Sequence, residues 1–176
     1  MTEDSFFRRR IFPIFGGSKK ASYKNKIVAI SGGFDPIHSG HIRYIKDAKK
    51  LGDYLIVILN SDKFLMKKKG YVFMPMAERI EILQNIVGIN EVFPCIDIDN
   101  SVCKSLIVTQ PHIFAKGGDK TRDNIPEVKV CEENRIKMVF GVGGTNKPQS
   151  SSWLIEKFIL KLKKDKELRK KYGMHG

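Results

Sequence analysis

Five short apolar runs recur along the chain: Ile27 to Ile30, Tyr54 to Leu59, Glu91 to Cys95, His112 to Ala115 and Lys137 to Phe140. Between them apolar residues return at three- and four-residue steps. Runs of this length suit strands buried on both faces, and their exchange with helical stretches predicts crossover connections. The expected fold is α/β, a doubly wound five-stranded parallel sheet of Rossmann-like form. Helices are expected from about Gly40 to Lys50 (Ile42, Ile45, Ala48), Met76 to Val87 (Ile80, Leu83, Val87) and Ser101 to Thr109 (Val102, Leu106). A fourth starts near Pro126, whose fixed φ suits a first helical turn, and ends near Glu133. The last starts in Ser150 to Ser152, where a hydroxyl can cap it, and carries Leu154, Ile155, Phe158, Ile159 and Leu162. Lys67-Lys68-Lys69-Gly70 reads as a loop after the second strand.

With 176 residues, 41% of them hydrophobic, the chain can bury a full core. No apolar run approaches the ~20 residues that span a bilayer. Cys95, Cys103 and Cys131 are odd in number and lack Cys-x-x-Cys spacing, which argues against a disulfide framework and a zinc ribbon and for a reducing, cytoplasmic setting. The net charge of +13 would point to nucleic acid or an anionic membrane if it lay on the folded core. It lies at the ends. Residues 1–26 hold seven Lys/Arg against two acids and residues 157–172 hold eight against two, leaving 17 basic and 15 acidic residues between them. The expected organisation is a basic N-terminal arm and linker (1–26), a central folded domain (27–160) and a basic helix end and tail (161–176). A nucleic-acid module would need a basic, aromatic-studded folded face, so no specific nucleic-acid partner is expected. The arm, with Phe6-Phe7-Arg8-Arg9-Arg10 and Ile11 to Phe15, suits a partner subunit or weak contact with a membrane surface. Glu3 and Asp4 count against an organellar transit peptide, and the arginines and proline against a signal peptide.

The candidate chemistry lies at Gly32-Gly33-Phe34-Asp35-Pro36-Ile37-His38-Ser39-Gly40-His41, a strand-to-helix turn. Gly32 and Gly33 allow a tight turn and close ligand approach, and Gly40 lets a neighbour come near the opening helix. Free amide N–H groups and the positive dipole end then lie beside two imidazoles, which suits a phosphate. His-x-x-His spacing also suits a metal, but His112 and His175 are remote in sequence, so no metal-ligand set is expected. Gly141-Val142-Gly143-Gly144 lacks the third glycine of a dinucleotide fingerprint and reads as a loop feeding the serine helix. Trp153 reads as a packing anchor or dimer contact.

These residues resemble the nucleotidylyltransferases that carry a Gly-x-Phe-Asp-x-x-His-x-Gly-His signature, which include cytidylyltransferases and adenylyltransferases of phosphorylated alcohols and sugars. The resemblance continues through Ala48 to Val57, Asn60-Ser61-Asp62, Glu78-Arg79, Glu91-Val92, Lys116-Gly117-Gly118-Asp119 and Ser150-Ser151-Ser152, about residues 27 to 157 in all. It implies direct transfer of a nucleoside monophosphate from its triphosphate to a phosphorylated polyol or sugar, with Mg²⁺ bridging phosphates. It further implies that His38, His41 and Lys68 are catalytic. Nucleotide and phosphate contacts would come from Gly32, Gly33, Phe34, Asp35, Gly40, Lys67, Lys69, Arg79, Lys116, Gly118, Asp119, Ser150, Ser151 and Ser152.

The sequence departs from the family pattern near its C-terminal end. The usual motif is Ile-Ser-Thr-Ser or Ile-Ser-Thr-Thr followed by Arg or Lys; here it is Gln149-Ser150-Ser151-Ser152 with Lys157. Length and form resemble the glycerol-3-phosphate cytidylyltransferases and favour CTP, whereas Asn60 to Asp62 and Lys116 to Asp119 resemble the ATP-using heptose-phosphate adenylyltransferase domain. Family members often pair as homodimers, and a homodimer is the expectation here. The rival readings are a degenerate nucleotide-binding protein without catalysis and a nucleic-acid module acting through the tails.

Overall fold

The computed structural model describes residues 26–118, 125–144 and 150–173. Five strands form one wholly parallel sheet: β1 (Ile27–Gly32), β2 (Tyr54–Leu59), β3 (Glu91–Pro94), β4 (Ile113–Gly117) and β5 (Lys137–Val142), in the order β3-β2-β1-β4-β5. Helices α1 (Ser39–Lys49), α2 (Asp62–Lys69), α3 (Met76–Gln84), α4 (Cys103–Thr109), α5 (Glu127–Glu133), α6 (Ser151–Lys164) and α7 (Lys166–Lys171) complete the described elements. The doubly wound parallel sheet is the one the apolar runs predict.

Burial on both faces explains the uninterrupted strand runs. Val28, Ile30, Leu55, Val57, Leu59, Ile113 and Ala115 face one layer with Ile45, Ala48 and Leu83 of α1 and α3. Ala29, Ile56, Ile58 and Phe114 face the other, with Val102, Leu106, Cys131 and Ile136 around α4 and α5. Successive strand residues therefore point into different cores, and each fully buried large side chain contributes roughly 1.5–3 kcal/mol of transfer free energy.

Three expectations need correction. Lys67 to Lys69 are the last turn of α2, capped by the Ser61 hydroxyl accepting from Phe64 N at the start and by left-handed Gly70 at the end. Only Leu65 of this helix is buried, so its apolar periodicity is too weak to read. Helix α3 stops at Gln84, short of the expected Val87, which lies outside the apolar stripe and is 94% exposed. Gly141 and Val142 belong to β5, with Gly143 and Gly144 beyond it. Helix α6 runs past residue 160 to Lys164, and α7 follows after a single residue. The arm at residues 1–25 lies outside the described residues.

Tyr44 of α1 joins helix and sheet. Its hydroxyl donates to the Ala115 carbonyl at 2.6 Å, and burial pushes the phenol well above its ordinary value. Tyr44 seats there with a glycine against its ring and another against its backbone. A Cβ on Gly117 would stand 3.2 Å from the ring, and one on Gly143 would stand 2.8 Å from Tyr44 Cα. Gly143 also has φ +85°, where any other side chain is strained. Gly143→Ala is expected to lower unfolding free energy by at least about 1 kcal/mol. Urea unfolding checks this, and an unchanged midpoint would contradict the seating of Tyr44.

Candidate active site

Beyond the carboxyl ends of β1 and β4, where the strand order reverses, lies a cavity of about 560 Å³. It is lined by residues from segments far apart in sequence: Gly32 at the end of β1 and Gly33, Phe34, His38, Gly40 and His41 beyond it; Asn60 after β2; Lys68 and Lys69 of α2; Lys116 near the end of β4 and Gly118 after it; and Ser150, Ser151 and Ser152 at the start of α6.

The imidazoles are fixed by the first turn of α1. His38 is its N-cap and His41 its third residue, and they form a reciprocal capping box. Nδ1 of His38 accepts from Gly40 N at 3.1 Å, while Nδ1 of His41 accepts from His38 N at 3.3 Å. The rings stack at a centroid distance of 3.9 Å, and Phe34 packs against His41 at 4.8 Å. With both Nδ1 atoms accepting, the neutral imidazoles carry their protons on Nε2, so two N–H donors remain for a ligand. Phe34 sits at φ +50°, a strained position for a buried aromatic residue in a functional loop.

Electrostatics keep these rings uncharged. Burial first, then His38 and Lys69, lowers His41 from an ordinary value near 6.5 to about 3; burial, then Arg43 and Lys69, lowers His38. Lys69 is itself held below its usual value, chiefly by burial, and donates to the Asp35 carbonyl oxygen at 2.8 Å.

Three residues expected at the nucleotide lie elsewhere. Lys67 is exposed and outside the cavity lining, because the helical twist of α2 turns it away from Lys68 and Lys69. Asp35 is fully buried beneath the lining, where its carboxylate accepts from Phe73 N at 2.9 Å and Met74 N at 2.7 Å. Arg79 is also buried. Its Nε donates to Met74 O at 2.9 Å, one terminal nitrogen to Gly33 O at 2.7 Å and Asn60 O at 2.9 Å, and the other to Asp62 at 2.5 Å. The surface ion pair that an isolated helix would suggest is instead a buried clamp. Asp119 lies outside the described residues.

The serines divide their work. The Ser150 hydroxyl caps α6 by accepting from Trp153 N at 3.1 Å, and Ser151, buried, donates to Pro36 O at 2.9 Å, tying α6 to the histidine turn. Ser152 and the free amides of the first turn complete that wall. Lys157 leaves the cavity and lies 4.4 Å over the Trp153 ring. Sequence reasoning missed Tyr44, Asn60, Asn100, Val102 and Glu127 as lining residues; only the apolar seat of Tyr44 had a local signal. The Asn60 Oδ1 atom is buried without a hydrogen-bond partner. Among the described residues no group of three or more His, Cys, Asp or Glu stands together to hold a metal.

A parallel sheet with a donor-lined cavity at its reversal point, opening onto the N-termini of α1 and α6, defines an α/β protein whose site has the chemistry that suits phosphate groups. The profile described as cytidylyltransferase-like matches residues 29–165, and the chain belongs to that family. Bifunctional protein HldE of Pelobacter propionicus is 31% identical over 155 residues, covering 86% of this chain and 30% of that protein. HldE of Geobacter sulfurreducens is 33% identical over 147 residues, covering 81% and 28%. The chain thus spans about three-tenths of these relatives' length. The lipopolysaccharide core biosynthesis protein from Thermoplasma volcanium GSS1, 24% identical, shares the fold with a TM-score of 0.55 over 66% of this chain and 95% of that one. Among the described residues no helix is long and apolar enough to cross a membrane.

Two outcomes follow from this geometry. Arg79→Lys cannot reproduce the forked donation to four oxygens and is expected to cost about 3 kcal/mol or more, read from urea midpoints. Below pH 6.5 the unfolded chain takes up a proton on His41 that the folded chain refuses down to about pH 3. Stability should therefore be full above pH 6.5 and fall through that window by up to about 1.4 kcal/mol per pH unit for this group. His41→Asn should flatten the slope; an unchanged slope would place the titration elsewhere.

Proposed function

We propose that the protein is a nucleotidyltransferase that moves a nucleoside monophosphate from its triphosphate onto a phosphorylated sugar or polyol. The observation that carries this reading is the stacked pair His38 and His41, with both Nδ1 atoms tied to backbone amides and both Nε2–H donors left for the cavity. A phosphate oxygen of the acceptor attacks the α-phosphorus, the bond from that phosphorus to the oxygen bridging toward the β-phosphorus breaks, and pyrophosphate leaves. No covalent enzyme intermediate is needed. What the chain must do is hold two anions in line and stabilise charge on the α-phosphoryl oxygens, so positioning and preorganised donors supply the rate.

In this reading the imidazoles and the α1 N-terminus hold the α-phosphoryl group, while Lys68, Lys69 and the start of α6 hold the departing phosphates. Magnesium enters as part of the nucleotide complex, bound by phosphate oxygens. Arg79 and Asp35 act as positioning residues beneath the site. The resemblance to glycerol-3-phosphate cytidylyltransferases favours CTP, whereas the HldE relatives favour the ATP-dependent sugar-phosphate alternative.

The test is pyrophosphate release from the magnesium complexes of the four nucleoside triphosphates, each with a panel of polyol and sugar phosphates. One productive nucleotide and acceptor pair is expected, and His41→Ala should lower its turnover by at least about 100-fold while the protein stays folded. Undiminished turnover in that variant would sink the assignment. Nucleotide binding without turnover on any acceptor would favour a degenerate, non-catalytic member.

A further inference from the structure

The lining of the cavity is chemically mixed. Around the histidine turn, to which Lys69 and Ser151 are tied, Lys68, Lys69 and the α6 N-terminus offer chiefly hydrogen-bond donors, which suits phosphate. On the side of α4 and α5, Val102, Ile125 and Pro126 give apolar walls around a carboxylate, Glu127. Glu127 opens α5 and is only 4% exposed. Its Oε1 accepts from the Val102 amide at 3.2 Å. Its Oε2 lies 3.5 Å from Lys116 Nζ, an ion pair longer than a good hydrogen bond, and has no hydrogen-bond partner.

That oxygen is an anomaly with a direction. A buried carboxylate oxygen without a hydrogen is costly, and such a group in a cavity calls for a partner supplied from outside the chain. An ionised carboxylate only accepts, and its charge repels phosphate, so the missing partner is a neutral donor. Lys116 stands beside the carboxylate and the Val102 amide fixes its orientation.

We propose that Oε2 of Glu127 reads a neutral N–H or O–H donor at the end of the bound substrate remote from its phosphates. The inference rests on the nucleotidyl-transfer reading and narrows its substrate. Two groups could carry the donor. One is the exocyclic amino group of cytosine or adenine, whose flat ring suits the walls of Val102, Ile125 and Pro126; the other is a hydroxyl of the phosphorylated acceptor. Uracil and hypoxanthine place an oxygen where cytosine and adenine carry the amino group, and would set acceptor against acceptor.

Two variants and two readouts test this. Glu127→Gln keeps the volume and an oxygen for the Val102 amide; Glu127→Asp keeps the charge beside Lys116 and withdraws it by one methylene. The folded full chain and both variants would be titrated calorimetrically with the magnesium complexes of CTP, UTP, ATP and ITP, followed by the KM of the acceptor that supports pyrophosphate release. The wild type is expected to prefer one amino nucleotide to its oxo counterpart by at least about tenfold, and both variants to level or invert that ratio. An acceptor KM raised at least about tenfold in both variants, with nucleotide ratios unchanged, would support the hydroxyl source instead. Wild-type binding and turnover with neither quantity moved in either variant would overturn this inference alone. A wild type that binds none of the four nucleotides would overturn the transferase reading and this inference with it.

Discussion

A guanidinium buried under the cavity organises the structure. Arg79 joins the turn after β1 through Gly33, the end of β2 through Asn60, the segment before α3 through Met74 and the start of α2 through Asp62. A buried cation is tolerated only when nearly every donor is used, so these segments can occupy only arrangements that keep their oxygens around one planar fork. Asp35 applies the same constraint with opposite sign, drawing the Phe73 and Met74 amides onto the loop that leads to His38. The geometry of the histidine turn above this layer is thus set by charges outside the cavity lining.

What the sequence discloses follows from how local each cause is. Strands β1 and β2 are legible because both faces are buried and every residue from Val28 to Ile30 and Leu55 to Leu59 is apolar. The imidazole pair is legible because a capping box is completed within four residues. Helix α2 is not, since its one buried residue leaves no stripe to detect, and its lysines look like a solvated run. Arg79, Asp35 and Glu127 are harder still. Each takes at least one partner from 25 to 46 residues away, and nothing in the residues beside them tells a surface charge from a buried clamp.

The electrostatics of the cavity differ between its sides. The folded centre is nearly balanced in charge, while α6 and α7 carry much of the excess, and Lys157 is held over Trp153 outside the cavity. Within the cavity, helix termini, Lys68 and Lys69 bring positive potential beside the histidine turn, whereas the Glu127 carboxylate on the α4–α5 side is balanced by Lys116 at 3.5 Å. A ligand with a charged head and a neutral, donor-bearing tail fits such a lining in one orientation, which fixes polarity before any single contact fixes position.

The imidazoles carry a further consequence for affinity. Burial leaves His38 and His41 reluctant to protonate, and each Nδ1 accepts a backbone N–H, so a proton added to either ring would set two donors against each other and open the capping box. Acid strong enough to charge either ring therefore removes the donor pair together with the helix start that positions it, so any affinity these donors confer and the local fold decline over the same range.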